Sequence, residues 1–481
     1  MPDDTNQDGL SPSRRRYITA LGSGLATGLA GCTGGGDGGG GDGGGGDGGG
    51  GGGDGGGGGG GGDGGSGGPQ QLKAPIELYT WNLPFLKESI QGWQDDFKKE
   101  FDEKYQFADP ATKWTDRGPG TEDILSYFQS RLQSGDPPNI FDTQMATYTR
   151  YAQDDIWAGL DQWASDEFLS KYYDRLIEVM TLDGSLLQIP FYMGTVATYS
   201  RNKWFDEAGI EPPTTENFYG TMKYLDTAEQ LVNNSGAEFG LTFIRFDWQI
   251  WPWFYAEGVD IINDDGTEAA FNTETTHEIL SRFRELTQNG VIPEVSWTGD
   301  WKPAAEQFGA ANTAMYFGSG SALRLIQNYG SDWVSPDTMT LGGAPKGSRY
   351  GGIITMHGLG VTKPEIPKSQ QKAAFDLISV ITNKKWQKDF LRNTTVLVPH
   401  KEALSEMRND EQFSNENPVL VQLYELWDKV SADVWVPPLV EASSEMAQIV
   451  DNQFSAAALG EKSVDQAIQS AEQQVNQALQ G

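Results

Sequence analysis

Cysteine is nearly absent from this chain. Cys32 is the only cysteine among 481 residues, so no disulfide can form within one molecule. Histidine is almost as scarce: His277, His357 and His400 are widely spaced, and no paired-cysteine or HExxH arrangement accompanies them. A zinc or calcium site therefore has no support in the sequence, and we expect neither a metal nor a cofactor.

Basic residues are also few. Lys and Arg total 35 against 67 Asp and Glu, which gives a formal net charge of -32 at pH 7. A surface of that sign repels phosphate backbones and anionic lipids, so nucleic acid is not an expected partner. An excess of carboxylates with many small polar residues is typical of proteins from very salty media, where ions screen the self-repulsion.

Signatures of common enzyme classes are missing as well. The sequence has no phosphate-binding G-x-x-x-x-G-K-[ST] loop, and residues 317–321 fall out of register for a G-x-S-x-G elbow. We therefore expect no enzymatic activity. A secreted glycoside hydrolase or lyase stays open as the alternative, because a sequence cannot reveal the separation of two catalytic carboxylates.

The N-terminal seventy residues are predicted to sort and anchor the chain. "SRRRYITALGSGLATGLAGC" (residues 13–32) has a basic start and a short apolar stretch, and resembles a twin-arginine export signal. Its last four residues resemble a lipobox, in which the cysteine accepts a lipid. We predict a signal over residues 1–32, lipidation at Cys32, and a disordered Gly/Asp tether over residues 33–70, which lacks side chains to bury.

After Pro69 the pattern changes to that of an α/β protein. "APIELYTW" (residues 74–81) alternates like a strand, and Ile90, Trp93 and Phe97 recur at helical spacing. Further helices are predicted after Thr121, Thr215, Thr273 and Ser369. Strands that alternate with such helices predict parallel sheets covered on both faces.

The order of several segments resembles one family. These segments are "LYTW", "SGDPPNIFDTQ", "LDGSLLQIPFYMGTVATYSRNKWFDEAGIEPPTT", "NTAMYFGSGSALRLI" and "LGEKSVDQAIQSAEQQV". Together they resemble the extracellular solute-binding proteins of ATP-binding-cassette (ABC) importers, in the carbohydrate-binding branch related to maltose-binding protein, over about residues 74–475. With the acidic composition and the lipobox, the chain resembles a haloarchaeal lipoprotein of that family.

The resemblance implies a two-lobed periplasmic-binding-protein-like α/β fold with a hinge and an interlobe cleft. Lobe one would hold residues 74–190 plus 356–402, and lobe two residues 191–353 plus 405–481, with crossings near 190–191, 351–354 and 400–406. The expected function is to capture a sugar or oligosaccharide in the cleft and deliver it to ABC permease subunits. The protein would be a monomer, anchored by lipid at the extracellular face of the cell membrane.

A sugar cleft needs aromatic faces and hydroxyl-binding edge groups. Strand ends suggest Trp81, Asn82, Asp142 and Gln144, because ligands lie beyond the carboxyl ends of parallel strands. Asp142 could instead cap a turn. The remaining candidates come from the first crossing, an aromatic cluster at 246–255 and several loops: Tyr192, Trp251, Trp253, Trp297, Asp300, Trp301, Ser319, Gly320, Ser321, Arg349 and Gly352.

Each of these candidates also has a structural interpretation. Tryptophans fill cores, Ser319 to Ser321 can form a plain helix N-cap, and the lone His357 in an apolar strand is expected to be structural. A receptor for a peptide or polyamine stays open as another ligand class. Asn233 and Asn393 lie in glycosylation sequons, whose use the sequence does not determine.

Overall fold

The computed structural model of the protein describes residues 69–480, except 82–85, 118–120, 153–154, 246–247, 331–332 and 395. The predicted signal, the lipidation site Cys32 and all but the last two residues of the predicted tether lie outside the described residues. Within the described part, no helix is both long enough and apolar enough to cross a membrane.

The strands form one large mixed sheet and two small ribbons. In chain order they are β1 (Gln70–Gln71), β2 (Ile76–Trp81), β3 (Tyr105–Gln106), β4 (Thr112–Arg117), β5 (Ile140–Gln144), β6 (Thr181–Leu182), β7 (Ser185–Leu186), β8 (Gln188–Arg201), β9 (Phe239–Phe243), β10 (Thr313–Ser319), β11 (Met339–Gly342) and β12 (Ile354–Val361).

The helices lie between these strands and follow the last of them. They are α1 (Leu86–Glu100), α2 (Thr121–Gln133), α3 (Met145–Ala152), α4 (Asp166–Leu169), α5 (Asp174–Val179), α6 (Asn202–Ala208), α7 (Thr221–Asn234), α8 (Pro252–Tyr255), α9 (Glu274–Gln288), α10 (Trp301–Gly309), α11 (Leu323–Tyr329), α12 (Lys368–Ile381), α13 (Lys384–Asn393), α14 (Lys401–Arg408), α15 (Glu411–Glu416), α16 (Pro418–Val430), α17 (Ser443–Ala458) and α18 (Val464–Ala478).

β8 belongs to both halves of the large sheet. Its first part, up to Thr195, pairs with β12 in the order β4-β2-β5-β12-β8. From Val196 onward it pairs with β10, and from Thr198 also with β11. The sheet therefore consists of two halves joined by a continuous strand, and the change of partner falls five residues after the crossing predicted at 190–191.

Two other segments run beside this junction. Leu397 bridges to Met193 of β8, and Trp435 bridges to Ile353, directly before β12. The second predicted crossing, at 351–354, thus lies at the junction. Leu397 lies three residues before the third predicted crossing, at 400–406, and Trp435 lies some thirty residues after it. The boundaries of the two lobes stay a prediction.

The sheet is mixed, whereas the sequence predicted parallel sheets. β2 is parallel to β4 and to β5, but β12 is antiparallel to both β5 and β8. The reason lies in the connections: β8 and β12 carry the chain from one half to the other and back, so they run in opposite directions. Periodicity reports burial of a strand but not its direction.

Most of the predicted helices are present, with shifted or divided bounds. Thr273 caps α9 through a hydrogen bond from the backbone N–H of Thr276, as the sequence predicted. The helix expected after Thr215 begins only at Thr221. The long helix expected after Ser369 is divided into α12 and α13, because Asn383 accepts a hydrogen bond from the N–H of Trp386 and starts a new helix.

A buried ion cluster secures the first half of the sheet. Glu77 of β2 is 7% exposed and accepts hydrogen bonds from both terminal nitrogens of Arg131 in α2, at 3.0 and 3.2 Å. Thr115 donates to it at 2.6 Å, and the ammonium of Lys113 lies 3.1 Å away. Burial alone would raise the pKa of Glu77, but the bonds from Arg131, Thr115 and Lys113 outweigh it and lower the pKa to about 2. The cluster therefore joins β2, β4 and α2.

Candidate functional site

A small cavity lies at the junction of the two sheet halves. It encloses about 30 Å³, and Gln144, Met145, Trp248, Thr355, His357 and Pro437 contribute to its wall. Gln144 ends β5 and is paired with His357 of β12. Trp248 follows β9 in the other half of the sheet. The cavity therefore draws on both predicted lobes, and none of the described residues that line it is Asp, Glu, Lys or Arg.

Asp142 lies behind this cavity and is fully buried. The Thr80 hydroxyl donates to its Oδ2 at 2.6 Å, and Nδ1 of His357 donates to its Oδ1 at 2.8 Å. A buried carboxylate needs such partners, because it would otherwise lose its solvation without compensation. Both oxygens face protein groups in this structure, so Asp142 orients His357 and does not cap a turn.

Tyr192 and His357 form a stacked pair at the wall of the cavity. Their ring centroids lie 4.2 Å apart with planes 16° from parallel, and Phe390 stacks on Tyr192 at 5.6 Å. Burial, helped by the nearby Asp142, raises the pKa of Tyr192 well above its usual value, so its phenol stays neutral at physiological pH. The stack and the Asp142 contact together restrict the His357 ring to one orientation.

Trp248 is held in a conformation that costs free energy. Its φ of 70° lies in the left-handed region, which costs a residue with a side chain roughly 1–2 kcal/mol. Its ring is 1% exposed, and its buried Nε1–H has no acceptor among the described residues. An unsatisfied buried donor costs about 1–3 kcal/mol. Strain of this kind concentrates at functional sites.

Other aromatic rings continue outward from Trp248. Trp435 packs edge-to-face on Trp248 at 5.7 Å, and Tyr255 lies against Trp435 at 5.7 Å. The guanidinium of Arg349 stands over Tyr255 at 4.8 Å and pairs with Asp260, one of their contacts being 3.0 Å. The rings of Trp435 and Tyr255 thus lie between Trp248 and Arg349, which is a predicted ligand contact. The charge of Arg349 is already paired with that of Asp260.

The structure places three predicted tryptophans in the core. Trp251 and Trp253 are 0% exposed, and Trp297 is 2% exposed. Trp251 packs against Phe254, while Trp297 donates from Nε1 to Thr287 at 3.0 Å. The expectation that these rings line the cleft is corrected, because Pro252 starts a short helix that directs both Trp251 and Trp253 inward and leaves Trp248 of the same cluster at the cavity.

Among the predicted loop residues, Ser319 lies at the junction. It pairs with Val196, the residue at which β8 changes partner. Its Oγ lies close to Gly194 of β8, since a Cβ on that glycine would stand only 3.1 Å from it. Its Oγ also accepts from the N–H of Ser321 and caps a short 3-10 helix, which is the plain N-cap interpretation. Gly320 is buried, and a Cβ at this position would stand 2.3 Å from the side chain of Leu423, so packing requires a glycine here.

The other predicted contacts do not meet at the cavity, or lie outside the described residues. Asp300 caps α10 by accepting from the N–H of Lys302 at 3.1 Å. A Cβ on Gly352 would stand 2.2 Å from the Tyr350 ring, so this glycine is required by packing. The side chains of Trp81 and Trp301, and all of Asn82, lie outside the described part of the chain.

Three residues of this region were not among the candidates from the sequence. His357 was expected to be structural, Trp248 was passed over within its cluster, and Trp435 was not considered. A usable signal existed only for Trp435, whose segment "VWVPPLV" places an aromatic residue beside two prolines. Within the described residues, no group of three or more His, Cys, Asp or Glu side chains is placed to hold a metal ion.

Comparison with known proteins identifies a family. Residues 96–418 match the sequence model of the bacterial extracellular solute-binding proteins, which covers more than half of the chain. No curated protein matches the chain.

Solved structures share the fold over most of the chain. The acarbose-binding GacH receptor of Streptomyces glaucescens has a TM-score of 0.69 at 15% identity, over 85% of this chain and 99% of its own. An ABC substrate-binding protein from Listeria monocytogenes, solved with cycloalternan, has a TM-score of 0.68 at 18% identity, over 85% of this chain and 98% of its own. Maltose-bound MalE3 from T. maritima has a TM-score of 0.67 at 14% identity, over 83% of this chain and 98% of its own. At these identities the likeness shows the fold, which is the two-lobed periplasmic-binding-protein fold.

Proposed function

Because the chain belongs to the family of bacterial extracellular solute-binding proteins, we propose that it captures a neutral sugar or oligosaccharide in the cleft between its lobes and releases it unchanged. The observation that carries the proposal is the character of the cavity at the junction. Its described wall offers the Gln144 amide, the Thr355 hydroxyl, the His357 imidazole and the Trp248 ring, and includes no Asp, Glu, Lys or Arg.

This chemistry suits a polyol better than an ionic ligand. A bound hydroxyl can donate to one group and accept from another, and aromatic rings pack on the apolar C–H faces of sugars. A polyamine or a phosphate would need opposite charges in the wall to replace its hydration. The solved relatives named above were crystallised with acarbose, cycloalternan and maltose, which supports the same ligand class.

We further propose the setting in which this capture takes place. The chain is exported, anchored to the membrane through a lipid on Cys32, and suspended on the glycine tract so that the lobes can reach ABC permease subunits. The protein acts as a monomer and performs no chemistry on its ligand. The N-terminal sequence and the family support this arrangement. Replacing Cys32 by Ala should move the protein from the membrane fraction into the medium, and its retention at the membrane would contradict lipid anchoring.

Thermal unfolding of the full-length protein in high salt tests ligand capture. The probes are maltose, acarbose, cycloalternan and tagatose, with spermidine and a tripeptide as rivals. A ligand at one hundred times its Kd should stabilise the fold by about 2.7 kcal/mol. Stabilisation by a sugar with no product supports a receptor. Released reducing ends, or stabilisation only by spermidine or the tripeptide, would contradict the proposal.

A variant pair locates the binding to the junction. Gln144→Met keeps the length of the side chain but removes the amide from the cavity, so sugar affinity should fall about fivefold or more. Gln133→Met is the matched control, because Gln133 is exposed at the end of α2. Equal affinities of both variants and the wild type would place the ligand elsewhere.

A further inference from the structure

The chain has two N-x-[ST] sequons, at Asn233 and Asn393, and the structure gives them different surroundings. A glycan is bulky and stays at the protein surface, so the asparagine that carries it must have free space around its side chain. The burial and the hydrogen bonds of the two asparagines therefore decide which sequon can carry a glycan.

Asn233 lies on the solvent face of α7. Asp226, Gln230 and Asn233 are exposed and follow the spacing of one helical face, whereas Leu225 and Leu231 are buried on the other. The side-chain amide of Asn233 makes no hydrogen bond to another described residue. A glycan on this amide would therefore extend into solvent without breaking a contact to the described part of the chain.

The sequon of Asn233 spans the end of the helix. α7 ends at Asn234, and the third sequon residue, Ser235, already has extended backbone angles, with φ -136° and ψ -175°. Ser235 is tied to the helix by its backbone N–H and its hydroxyl, which donate to the Leu231 carbonyl at 3.0 and 2.6 Å. Helix ends open more readily than helix interiors. Opening of the last turn would present Asn233 and Ser235 to an enzyme and leave the core closed.

Asn393 is held at the end of α13. It is half-buried, and its Nδ2 donates to the Asp389 carbonyl at 3.0 Å. Its own carbonyl accepts from Nη1 of Arg324 in α11 at 3.2 Å, and the next residue, Thr394, is 4% exposed. A sugar on Nδ2 of Asn393 would crowd the contact between α11 and α13. This sequon therefore does not suit a glycan.

We propose that Asn233 is N-glycosylated in the exported protein and that Asn393 is not. The oligosaccharide comes from a lipid pyrophosphate donor: a bond forms between the Asn233 amide nitrogen and the anomeric carbon, and the bond from that carbon to the pyrophosphate oxygen breaks. One amide proton passes to a base of the transferring enzyme. The inference rests on the export that the proposed function includes, because N-glycans occur on secreted chains.

A glycan on Asn233 would leave the cavity at the junction accessible. The start of α7 contacts the segment that holds Trp248, since the Thr221 hydroxyl donates to the Trp253 carbonyl at 2.6 Å. Asn233 lies near the other end of α7, about 18 Å further along the helix at 1.5 Å per residue. Asn233→Gln should therefore keep the Kd of any sugar that binds the wild type within twofold.

Peptide mass spectrometry of the full-length protein, purified from membranes of the organism that makes it, tests the inference. Trypsin cleaves after Lys and Arg, so residues 224–245 and 393–401 form separate peptides with one sequon each. The first peptide should be heavier by the mass of the attached sugars, and the second should have its plain polypeptide mass. A plain mass for 224–245, or sugars on 393–401, would overturn the inference.

Three variants made in the same organism locate the attachment. Asn233→Gln removes the acceptor amide and Ser235→Ala removes the sequon hydroxyl, so each should return peptide 224–245 to its plain mass. Asn234→Gln is the matched control, because Asn234 is exposed beside Asn233 but is followed two residues later by Gly236 and begins no sequon. Sugars that persist on Asn233→Gln, or that disappear from Asn234→Gln, would contradict the assignment.

The failure of this inference is distinct from the failure of the proposed function. If maltose, acarbose, cycloalternan or tagatose binds and peptide 224–245 has its plain mass, only the glycan is rejected. If peptide 224–245 carries sugars and none of these ligands binds, only the proposed capture is rejected.

Discussion

Replacing Arg131 by Met should destabilise the fold by about 3 kcal/mol at pH 7. The change removes the principal partner of Glu77, which is 7% exposed and tied to Arg131 by two hydrogen bonds. Removing one member of a buried ion pair leaves the other charge without compensation, and such losses are typically about 3–5 kcal/mol. Lys113 and Thr115 stay in contact with Glu77 and should reduce the loss.

The lowered pKa of Glu77 gives a similar magnitude for Arg131, Thr115 and Lys113 acting together. The pKa is about 2 in the folded protein against 4.5 for the free group, and a difference of one unit is worth about 1.4 kcal/mol. The folded state therefore gains about 3 kcal/mol from this carboxylate. Because the folded pKa is the lower one, the gain is present above pH 4.5 and is lost as the pH falls towards 2. The unfolded chain binds the proton first.

Urea unfolding in high salt measures the effect, with Lys113→Met as the control. The side chain of Lys113 is 54% exposed, so its removal should cost less than about 1 kcal/mol. The difference between the wild type and Arg131→Met should shrink as the pH falls from 4.5 towards 2. A loss below about 1 kcal/mol for Arg131→Met, or a loss equal to that of Lys113→Met, would refute the reasoning.

Three further outcomes follow from buried groups. Burial lowers the pKa of His400 from 6.5 to about 4, so the unfolded chain takes up the proton first as the pH falls. The folded protein should therefore lose about 3 kcal/mol of stability between pH 6.5 and pH 4, which urea unfolding can measure. His400→Asn, which keeps a side-chain cap for α14, should not show this loss. Thr80→Val removes the donor to Asp142 and should weaken sugar binding about fivefold in calorimetry, whereas Thr149→Val removes a buried hydroxyl without a partner among the described residues and should change nothing. Gly240→Ala places a Cβ 2.0 Å from the Ala228 carbonyl oxygen and should cost about 3 kcal/mol or prevent folding; a stable variant would show that α7 can shift.

Local patterns in the sequence predicted the elements well. Trp93 and Phe97 are 3% and 0% exposed on one face of α1, and Phe128 of α2 is 0% exposed, as helical spacing indicated. Ile140 begins a buried strand directly after the Pro137-Pro138 break. These outcomes depend on residues within a few turns of each other, where spacing and side-chain chemistry decide burial.

The site could be predicted only in part. Gln144 and Tyr192 were named because they end a strand or lie near a crossing, and both lie in the region of the cavity. The link between Asp142 and His357 joins residues 215 positions apart in the sequence, and no local pattern encodes it. The burial of Trp251 and Trp253 and the place of Trp248 at the cavity depend on the local course of the backbone, with φ 70° at Trp248 and a short helix that starts at Pro252, and composition does not report either feature.

The continuous course of β8 determines how the two halves of the sheet can move. A loop hinge turns freely about a few bonds, but β8 is held by ladder hydrogen bonds to β12 as far as Thr195 and to β10 from Val196 onward. Any rotation must therefore be distributed as elastic torsion along a paired ribbon. The two halves should therefore have one preferred relative angle, and departures from it should be opposed by the twist of the paired strand. Amide hydrogens of β8 near 195–196 should exchange with solvent as slowly as those of the core.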